Sequence, residues 1–216
     1  MKKPVTLYIL LLALSIGVLF LLNLFLGSVD IPFRSIWNIL WGMDEGESVI
    51  WQNIIWKSRV PQALTAMVAG AGLAVSGLQM QTVFRNPLAG PSVLGISSGA
   101  SLGVAFVVLL SGSIGGIALS RLGFMGEIAL TMAAIIGALS IMALIVYVSQ
   151  KVHGNVTLLI IGVMIGYVAN AVIGVLKFFS VEEDIRAYVI WGLGSFARVS
   201  GNQMMVFVCI MAVLLP

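Results

Sequence analysis

The chain of 216 residues is 60% hydrophobic and only 9% charged, with a mean hydropathy of +1.13. Soluble domains carry about 25% charged residues, so this composition excludes an ordinary soluble domain and indicates an integral membrane protein. The formal charge of +3 comes without a dense Lys/Arg run, which excludes an obvious nucleic-acid patch. The single cysteine, Cys209, excludes a disulfide framework or a multi-cysteine metal site within the chain.

The first predicted element is a transmembrane helix over residues 5–26, an apolar run with few polar interruptions. About 20 apolar residues cross the hydrocarbon core of a bilayer. Lys2 and Lys3 precede this run and favour a cytoplasmic N-terminus. A cleaved signal peptide is the other interpretation of this pattern, but the run is long and no Ala-x-Ala site follows.

A short amphipathic helix is predicted next, over residues 30–41. Its apolar residues recur at helical spacing and define one face: Phe33, Ile36, Trp37, Leu40 and Trp41. Pro32 suits the first turn of such a helix. Since Trp51 and Trp56 follow and favour headgroup depth, the helix is expected to lie in the outer membrane interface, before the chain re-enters the bilayer.

Four further apolar runs predict transmembrane helices, at residues 60–84, 92–110, 124–148 and 156–179. A final run, residues 203–215, is too short to cross a bilayer. It is interpreted as a truncated sixth helix, with a re-entrant segment as the other possibility. The expected fold class is therefore an all-α integral membrane protein, a polytopic helical bundle of about five complete transmembrane helices and a truncated sixth.

Small residues recur at every fourth position in three of these runs: Ala66, Gly70 and Ala74; Gly95, Gly99 and Gly103; Gly162, Gly166, Asn170 and Gly174. Such stripes let helix backbones approach closely in lipid, so close packing is the expected role of most of them. Asn170 is either a hydrogen bond between helices or a residue of a pore.

Ser180 and Glu183 have the spacing of a capping box, in which each side chain satisfies a free backbone N–H of the other residue. The pattern predicts a short helix that begins there and ends at residues 192–194.

The sequence contains no phosphate-binding loop of the GxxxxGK[ST] type and no HExxH motif. The chain is therefore predicted not to be an enzyme, with ATP hydrolysis in a partner subunit. An ion-coupled carrier places an ionisable residue near the bilayer midplane. Here Glu127 and Lys177 lie close to the ends of their runs, which is typical of interface residues.

One stretch, residues 59–103, holds two apolar runs joined by a polar turn that contains Arg85, Asn86 and Pro87. Its segment SGLQMQTVFRNPLAGPSVLG, with Arg59-Val60-Pro61 before it and Trp191-Gly192-Leu193-Gly194-Ser195 later, closely resembles the FecCD-type permease family. Members of that family are the membrane subunits of ABC importers for iron-siderophores, haem and cobalamin.

The resemblance implies that residues 1–216 form a single transmembrane permease domain. This domain is the N-terminal part of a ten-helix permease, without its coupling segment and last helices. The implied partners are a second permease copy, two ATP-binding subunits, an extracytoplasmic substrate-binding protein and the lipid bilayer, with no nucleic acid. The implied location is the bacterial cytoplasmic (inner) membrane.

The implied function is import of an iron chelate, a siderophore or haem, by alternating access. The first alternative is a cobalamin permease. The second, which has less support in the sequence, is an ion-coupled secondary transporter. No cofactor is expected in this chain, since ATP and Mg²⁺ belong to the partner ATPase. No metal ligands are expected either, because the substrate stays coordinated to its chelator.

The resemblance also implies roles for individual residues. Arg59 matches the first arginine of the family's R-x-P-R segment and is assigned to binding-protein docking. The second arginine is Gln62 here, and Lys57 compensates for it. Asn155 and Val156 occupy the inner-gate position, and the structural turn is formed by Arg85, Asn86 and Pro87.

Uncharged polar residues near the turn suit a pathway that must release a bulky chelate without holding it. The residues assigned to this translocation pathway are Ser76, Gln79, Gln81, Ser97, Ser98 and Asn170. Hydrogen bonding between helices is the other role open to them.

Overall fold

The computed structural model describes residues 5–43, 46, 48–115, 124–152, 154–197 and 199–214, and every regular element within these ranges is a helix. The helices are α1 (Val5–Phe25), α2 (Phe33–Leu40), α3 (Val49–Ile54), α4 (Val60–Phe84), α5 (Ile96–Gly115), α6 (Phe124–Ser149), α7 (Asn155–Phe179), α8 (Glu182–Gly192) and α9 (Gly201–Leu214). A π-helical turn, Ile55–Arg59, joins α3 to α4. The all-α class predicted from composition is confirmed.

Within the described ranges, four helical segments are long and apolar enough to cross a membrane: Val5–Phe25, Val49–Phe84, Met125–Ser149 and Asn155–Phe179. They confirm four predicted spans, and the second is longer than predicted because α3 and the π turn continue into α4. The remaining predicted span is α5, which begins at Ile96 rather than residue 92. Its apolar part, Ile96–Leu110, and α9 are shorter apolar helices.

The π turn is explained by the proline that follows it. Pro61 has no N–H to donate, and in a regular helix its ring would clash with the carbonyl of Lys57, four residues earlier. The Val60 N–H instead bonds to the Ile55 carbonyl, five residues back, which widens this turn. Lys57 is exposed, whereas Arg59, two residues on, is only 5% exposed.

Two compact units make up the chain: residues 1–72 with 195–216, and residues 73–194. Helix α4 runs through the division, which falls after Gly72. The expectation of one permease domain over residues 1–216 stays a prediction.

In the first unit, an isoleucine cluster joins α2 to the π turn: Ile31, Ile36, Ile39 and Ile55. Residues of the apolar face predicted for α2 divide between two surroundings: Ile36 faces inward, whereas Phe33 and Trp37 stack on the exposed side of the helix, with ring centroids 6.4 Å apart. Phe25 at the end of α1 stacks on Phe33 at 4.8 Å, so the aromatic row continues onto α1.

In the second unit, α5 packs against α6, α7 and α8. Glycines let the backbones meet: a Cβ added at Gly99 would lie 2.7 Å from the Gly137 carbonyl oxygen, and one added at Gly95 would lie 2.8 Å from that of Gly162. A Cβ at Gly103 would collide with the Ala133 carbonyl. The predicted glycine stripe on α5 therefore packs against two different helices.

The other two predicted stripes behave differently. Gly162 is buried against the residues just before α5 and Gly166 against the start of α5, but a Cβ at Gly174 would meet nothing within 4 Å, and Asn170 is exposed. In an α-helix, residues four positions apart point in directions that differ by about 40° around the axis, so a row of such residues gradually leaves the face that contacts the neighbouring helix. The buried face of α7 continues instead through Ala169 and Ile173. On α4, Gly70 likewise has nothing within 4 Å of an added Cβ.

The capping-box prediction at Ser180 is wrong, although the helix it predicted is present. The N-cap of α8 is Val181, without a side-chain cap. The Ser180 hydroxyl points back instead and lies within hydrogen-bond distance of two carbonyl oxygens, those of Leu176 at 2.6 Å and Leu109 at 3.1 Å. Ser180 therefore links the end of α7 to α5 rather than starting α8.

Candidate functional site

The turn between α4 and α5 begins with a Schellman motif. The Arg85 N–H bonds to the Thr82 carbonyl at 3.3 Å and the Asn86 N–H to the Gln81 carbonyl at 3.1 Å. This geometry requires a left-handed residue after the helix, and Arg85 supplies it with φ of +48°. A non-glycine residue in this conformation carries backbone strain, which is common where a fold fixes a functional turn.

An Asx turn follows directly. The Asn86 side-chain oxygen accepts the Leu88 N–H at 2.9 Å, and its backbone carbonyl accepts the Ala89 N–H at 3.1 Å. Pro87, between them, has its φ fixed by its ring, which suits the second position of a β-turn. Ala89 is buried against the apolar cluster that also holds Phe84. The structure thus places the three predicted turn residues in one hydrogen-bonded turn anchored on both sides.

The start of α7 lies against this turn. The Asn155 side-chain amide donates to the Val83 carbonyl at 3.3 Å, one of the orphan carbonyls at the end of α4. Leu159, one turn further on, is buried with Phe84 in the same cluster. Val156 is 67% exposed. The structure therefore brings the predicted gate residues beside the turn, and their gating role stays a prediction.

The predicted pathway residues do not form one polar cluster with each other. The Ser76 hydroxyl donates to the Leu73 carbonyl of its own helix at 3.2 Å. Ser98 lies on the α5–α7 contact, because its hydroxyl oxygen would be 3.3 Å from a Cβ added at Gly166. The remaining pathway residues are exposed: Gln79, Gln81, Ser97 and Asn170. Their role in translocation stays a prediction.

The two residues predicted to dock a binding protein face opposite ways. Lys57 is exposed, whereas the guanidinium of Arg59 is buried and donates to backbone carbonyls of Leu24 at 2.5 Å, Phe25 at 3.2 Å and Val29 at 2.5 Å. The docking role stays a prediction for both. Lys2 and Lys3, which underlie the predicted orientation, lie outside the described residues.

Sequence patterns alone did not reveal one buried acid, Asp184. This residue of α8 is 6% exposed, and its Oδ2 atom has no hydrogen-bond partner among the described residues. Burial raises the pKa of the Asp184 carboxyl, and the charge of Glu183 adds to the rise. Nearby, the Lys177 ammonium lies 4.8 Å from the ring centroid of Tyr188. The acidic start of α8 was visible in the sequence, but the packing of α8 against α5 was not.

The model of the FecCD transport family matches residues 12–216. The hemin transport system permease protein HmuU of Yersinia pestis is 35% identical over 84% of this chain and 51% of its own length. The vitamin B12 import system permease protein BtuC of Serratia proteamaculans is 35% identical over 96% of this chain and 56% of its own length. The chain thus spans about half the length of these relatives.

Among solved structures, an inward-facing conformation of a metal-chelate type ABC transporter matches with a TM-score of 0.72 and 26% sequence identity. The match covers 98% of this chain and 60% of the other. Sequence and fold agree along nearly the whole chain, which therefore belongs to the FecCD transport family.

Proposed function

We propose that the chain forms part of the membrane permease of an ABC importer, and that this importer moves an iron chelate, a siderophore or haem, across the bacterial inner membrane. The single observation that supports this most is the family match over residues 12–216. The match to a metal-chelate type ABC transporter over 98% of the chain agrees with it. Transport would occur by alternating access, with the N-terminus cytoplasmic.

The complete transporter would contain a second permease copy, two ATP-binding subunits and an extracytoplasmic substrate-binding protein. ATP and Mg²⁺ would be held by the partner subunits, and this chain would contribute no cofactor. The exposed ammonium of Lys57 supports docking on an acidic surface of the binding protein.

The turn supports a route by which motion could pass between helices. The Asx turn and the cluster around Phe84 hold together the tip of the α4–α5 hairpin, which is the end of α4 and the turn before α5. Asn155 ties the first residue of α7 to the end of α4. A displacement of the hairpin would therefore act on α7 at the proposed inner gate, Asn155 and Val156. The uncharged pathway side chains would let the chelate pass without binding it tightly.

The gate is tested by a bulky substitution, Asn155→Trp, which removes the amide bond and fills the space beside the turn. We expect slower ATP-dependent uptake and unchanged binding-protein affinity. Thr157→Trp is the matched control, because Thr157 is exposed and lies two residues further along the same helix, on its opposite side. Unchanged uptake in Asn155→Trp would count against a gate there.

Cobalamin is the alternative substrate, and the similarity to BtuC over 96% of the chain is the observation that favours it. Haem and cobalamin are both large metal chelates built on a tetrapyrrole-type ring, so a weakly polar pathway suits either. A secondary transporter, by contrast, would respond to an ion gradient instead of ATP.

The transporter class is tested by purification. The permease produced from its complete gene, together with the other subunits of its system, is expected to bring down an ATP-binding subunit whose ATPase rate rises when the binding protein is added. A permease that purifies without an ATPase and transports under a proton or sodium gradient would contradict the proposed class.

A further inference from the structure

The end of α1 presents carbonyl groups that its own helix cannot satisfy. The last four carbonyls of an α-helix have no intrahelical partner, and α1 ends at Phe25. The Leu22 carbonyl accepts the Leu26 N–H at 2.8 Å, but those of Leu24 and Phe25 both accept from Nη1 of Arg59. The negative end of the helix dipole also lies here, which favours a cation at this place.

The same guanidinium also holds the chain after the helix. Its Nη2 atom donates to the Val29 carbonyl at 2.5 Å, in the segment that turns from α1 into α2. A planar fork can reach two separate carbonyl groups at once, which a lysine ammonium on a flexible stem does less rigidly. Arg59 therefore fixes both the end of α1 and the reversal that follows it.

Gly27 provides the space that this arrangement needs. A Cβ added at Gly27 would lie 2.6 Å from Nη2 of Arg59 and 2.9 Å from Cζ. The φ of Gly27 lies outside the left-handed region, so the only obstacle to a side chain there is the Arg59 guanidinium, which would have to shift. The glycine and the arginine, distant in sequence, form one contact.

We infer that Arg59 is a positioning residue. It binds the end of α1 and the reversal into α2, and thereby holds the π turn so that Lys57 is the cation presented to an acidic protein partner. The docking part of this inference rests on the proposed function, whereas the intramolecular contact does not. Arg59 thus acts on docking through Lys57, without touching the partner.

The intramolecular contact is tested by cysteine labelling of the purified permease. Val29, which is 40% exposed, is replaced by Cys in a Cys209→Ser background and labelled with a maleimide. Losing the charge-assisted bonds in Arg59→Gln is expected to raise the labelling rate about tenfold. Gly27→Ala should raise it in the same direction without any change of charge. Gly17→Ala is the matched control, since an added Cβ there meets nothing within 4 Å.

The docking consequence is tested by the affinity for the substrate-binding protein at several salt concentrations. Lys57→Gln should flatten the salt dependence, because it removes a charge from the interface. Arg59→Gln and Gly27→Ala should weaken affinity but keep the salt dependence of the wild type, and Arg59→Lys should restore part of the affinity.

Two results would overturn the inference: unchanged Val29→Cys labelling in both Arg59→Gln and Gly27→Ala, or a salt dependence flattened by Arg59→Gln as much as by Lys57→Gln. If no binding protein associates with the permease at all, the proposed function fails. The labelling experiment still decides the intramolecular role of Arg59 in that case.

Discussion

Two regions of the molecule solve the same problem by different means. In lipid, helices gain little from hydrophobic burial against each other, so other contacts must hold them together. Helices α5, α6 and α7 meet through glycines that bring backbones into contact. We use the term Arg59 junction for the region formed by the end of α1, by α2 and by the π turn. In this junction, isoleucine side chains pack together, and the Arg59 guanidinium binds backbone carbonyls of Leu24 and Val29. The glycine contacts leave no room for added side-chain atoms, whereas the Arg59 junction depends on a single side chain.

The largest expected effect comes from breaking the glycine contacts. Gly103→Leu places a side chain where the Ala133 backbone lies, and that backbone cannot move aside cheaply. We expect a loss of about 3 kcal/mol or more in the free energy of unfolding. Thermal unfolding in detergent measures it.

Gly174→Leu is the matched control for that substitution, because an added Cβ at Gly174 meets nothing within 4 Å. Its unfolding midpoint should stay close to that of the wild type. Equal losses at the two positions would contradict the packing described for α5 and α6.

The next largest effect is expected at the Arg59 junction. Arg59→Gln removes a buried charge and leaves the Leu24 and Val29 carbonyls without their donor, at a cost of about 2–3 kcal/mol. Because Gly27 and Arg59 form one contact, Gly27→Ala combined with Arg59→Gln should cost little more than the worse single change. Additive losses in the double variant would show that the two residues act separately.

A smaller effect, with a pH dependence, is expected at Asp184. The pKa of this carboxyl is raised in the folded state, so its contribution to stability is fully present below the ordinary carboxyl pKa and is lost as the pH rises through the raised value. At neutral pH, Asp184→Asn should therefore gain about 1 kcal/mol and remove this pH dependence.

Unfolding midpoints measured from acid to neutral pH test that expectation. Glu182→Gln, at an exposed position in the same turn of α8, is the control and should keep the pH dependence. An Asp184→Asn variant whose stability still falls as the pH rises through this window would assign the dependence to another group.

The smallest effect is expected at the hairpin turn. Arg85 has a left-handed φ of +48°, which glycine adopts without a Cβ penalty. Arg85→Gly should therefore stabilise the protein by about 0.5 kcal/mol, since the gain is partly offset by the larger unfolded-state entropy of glycine. Arg85→Ala keeps the strain and should give no gain. A gain in both variants would mean that the side chain, and not the backbone, is the source.

Some features of these regions could be predicted from the sequence, and others could not. Apolar run length predicted the spans well, because bilayer thickness constrains helix length directly. The four-residue spacing of the small-residue stripes correctly predicted the contacts of α5. It failed beyond Gly166 on α7, because positions four residues apart rotate gradually around the helix axis, and Asn170 is therefore exposed. Such stripes mark which helices can approach, but not where the contact ends.

The orientation of Arg59 could not be predicted from regular periodicity, because the π turn before Pro61 changes which residues share a face. Likewise, the packing of α8, which carries Asp184, and the contact of Ser180 with Leu109 both involve α5, which is distant in sequence. The turn at Asn86 and Pro87 was predictable, since its hydrogen bonds are local.

The proposed function is tested most directly by uptake into proteoliposomes that contain the permease from its complete gene, its ATP-binding subunit and its binding protein. Haem, a ferric siderophore and cobalamin are each supplied with and without ATP. We predict uptake of one of these chelates that requires ATP and persists when proton and sodium gradients are collapsed. Uptake that ignores ATP and follows an ion gradient would contradict the importer function.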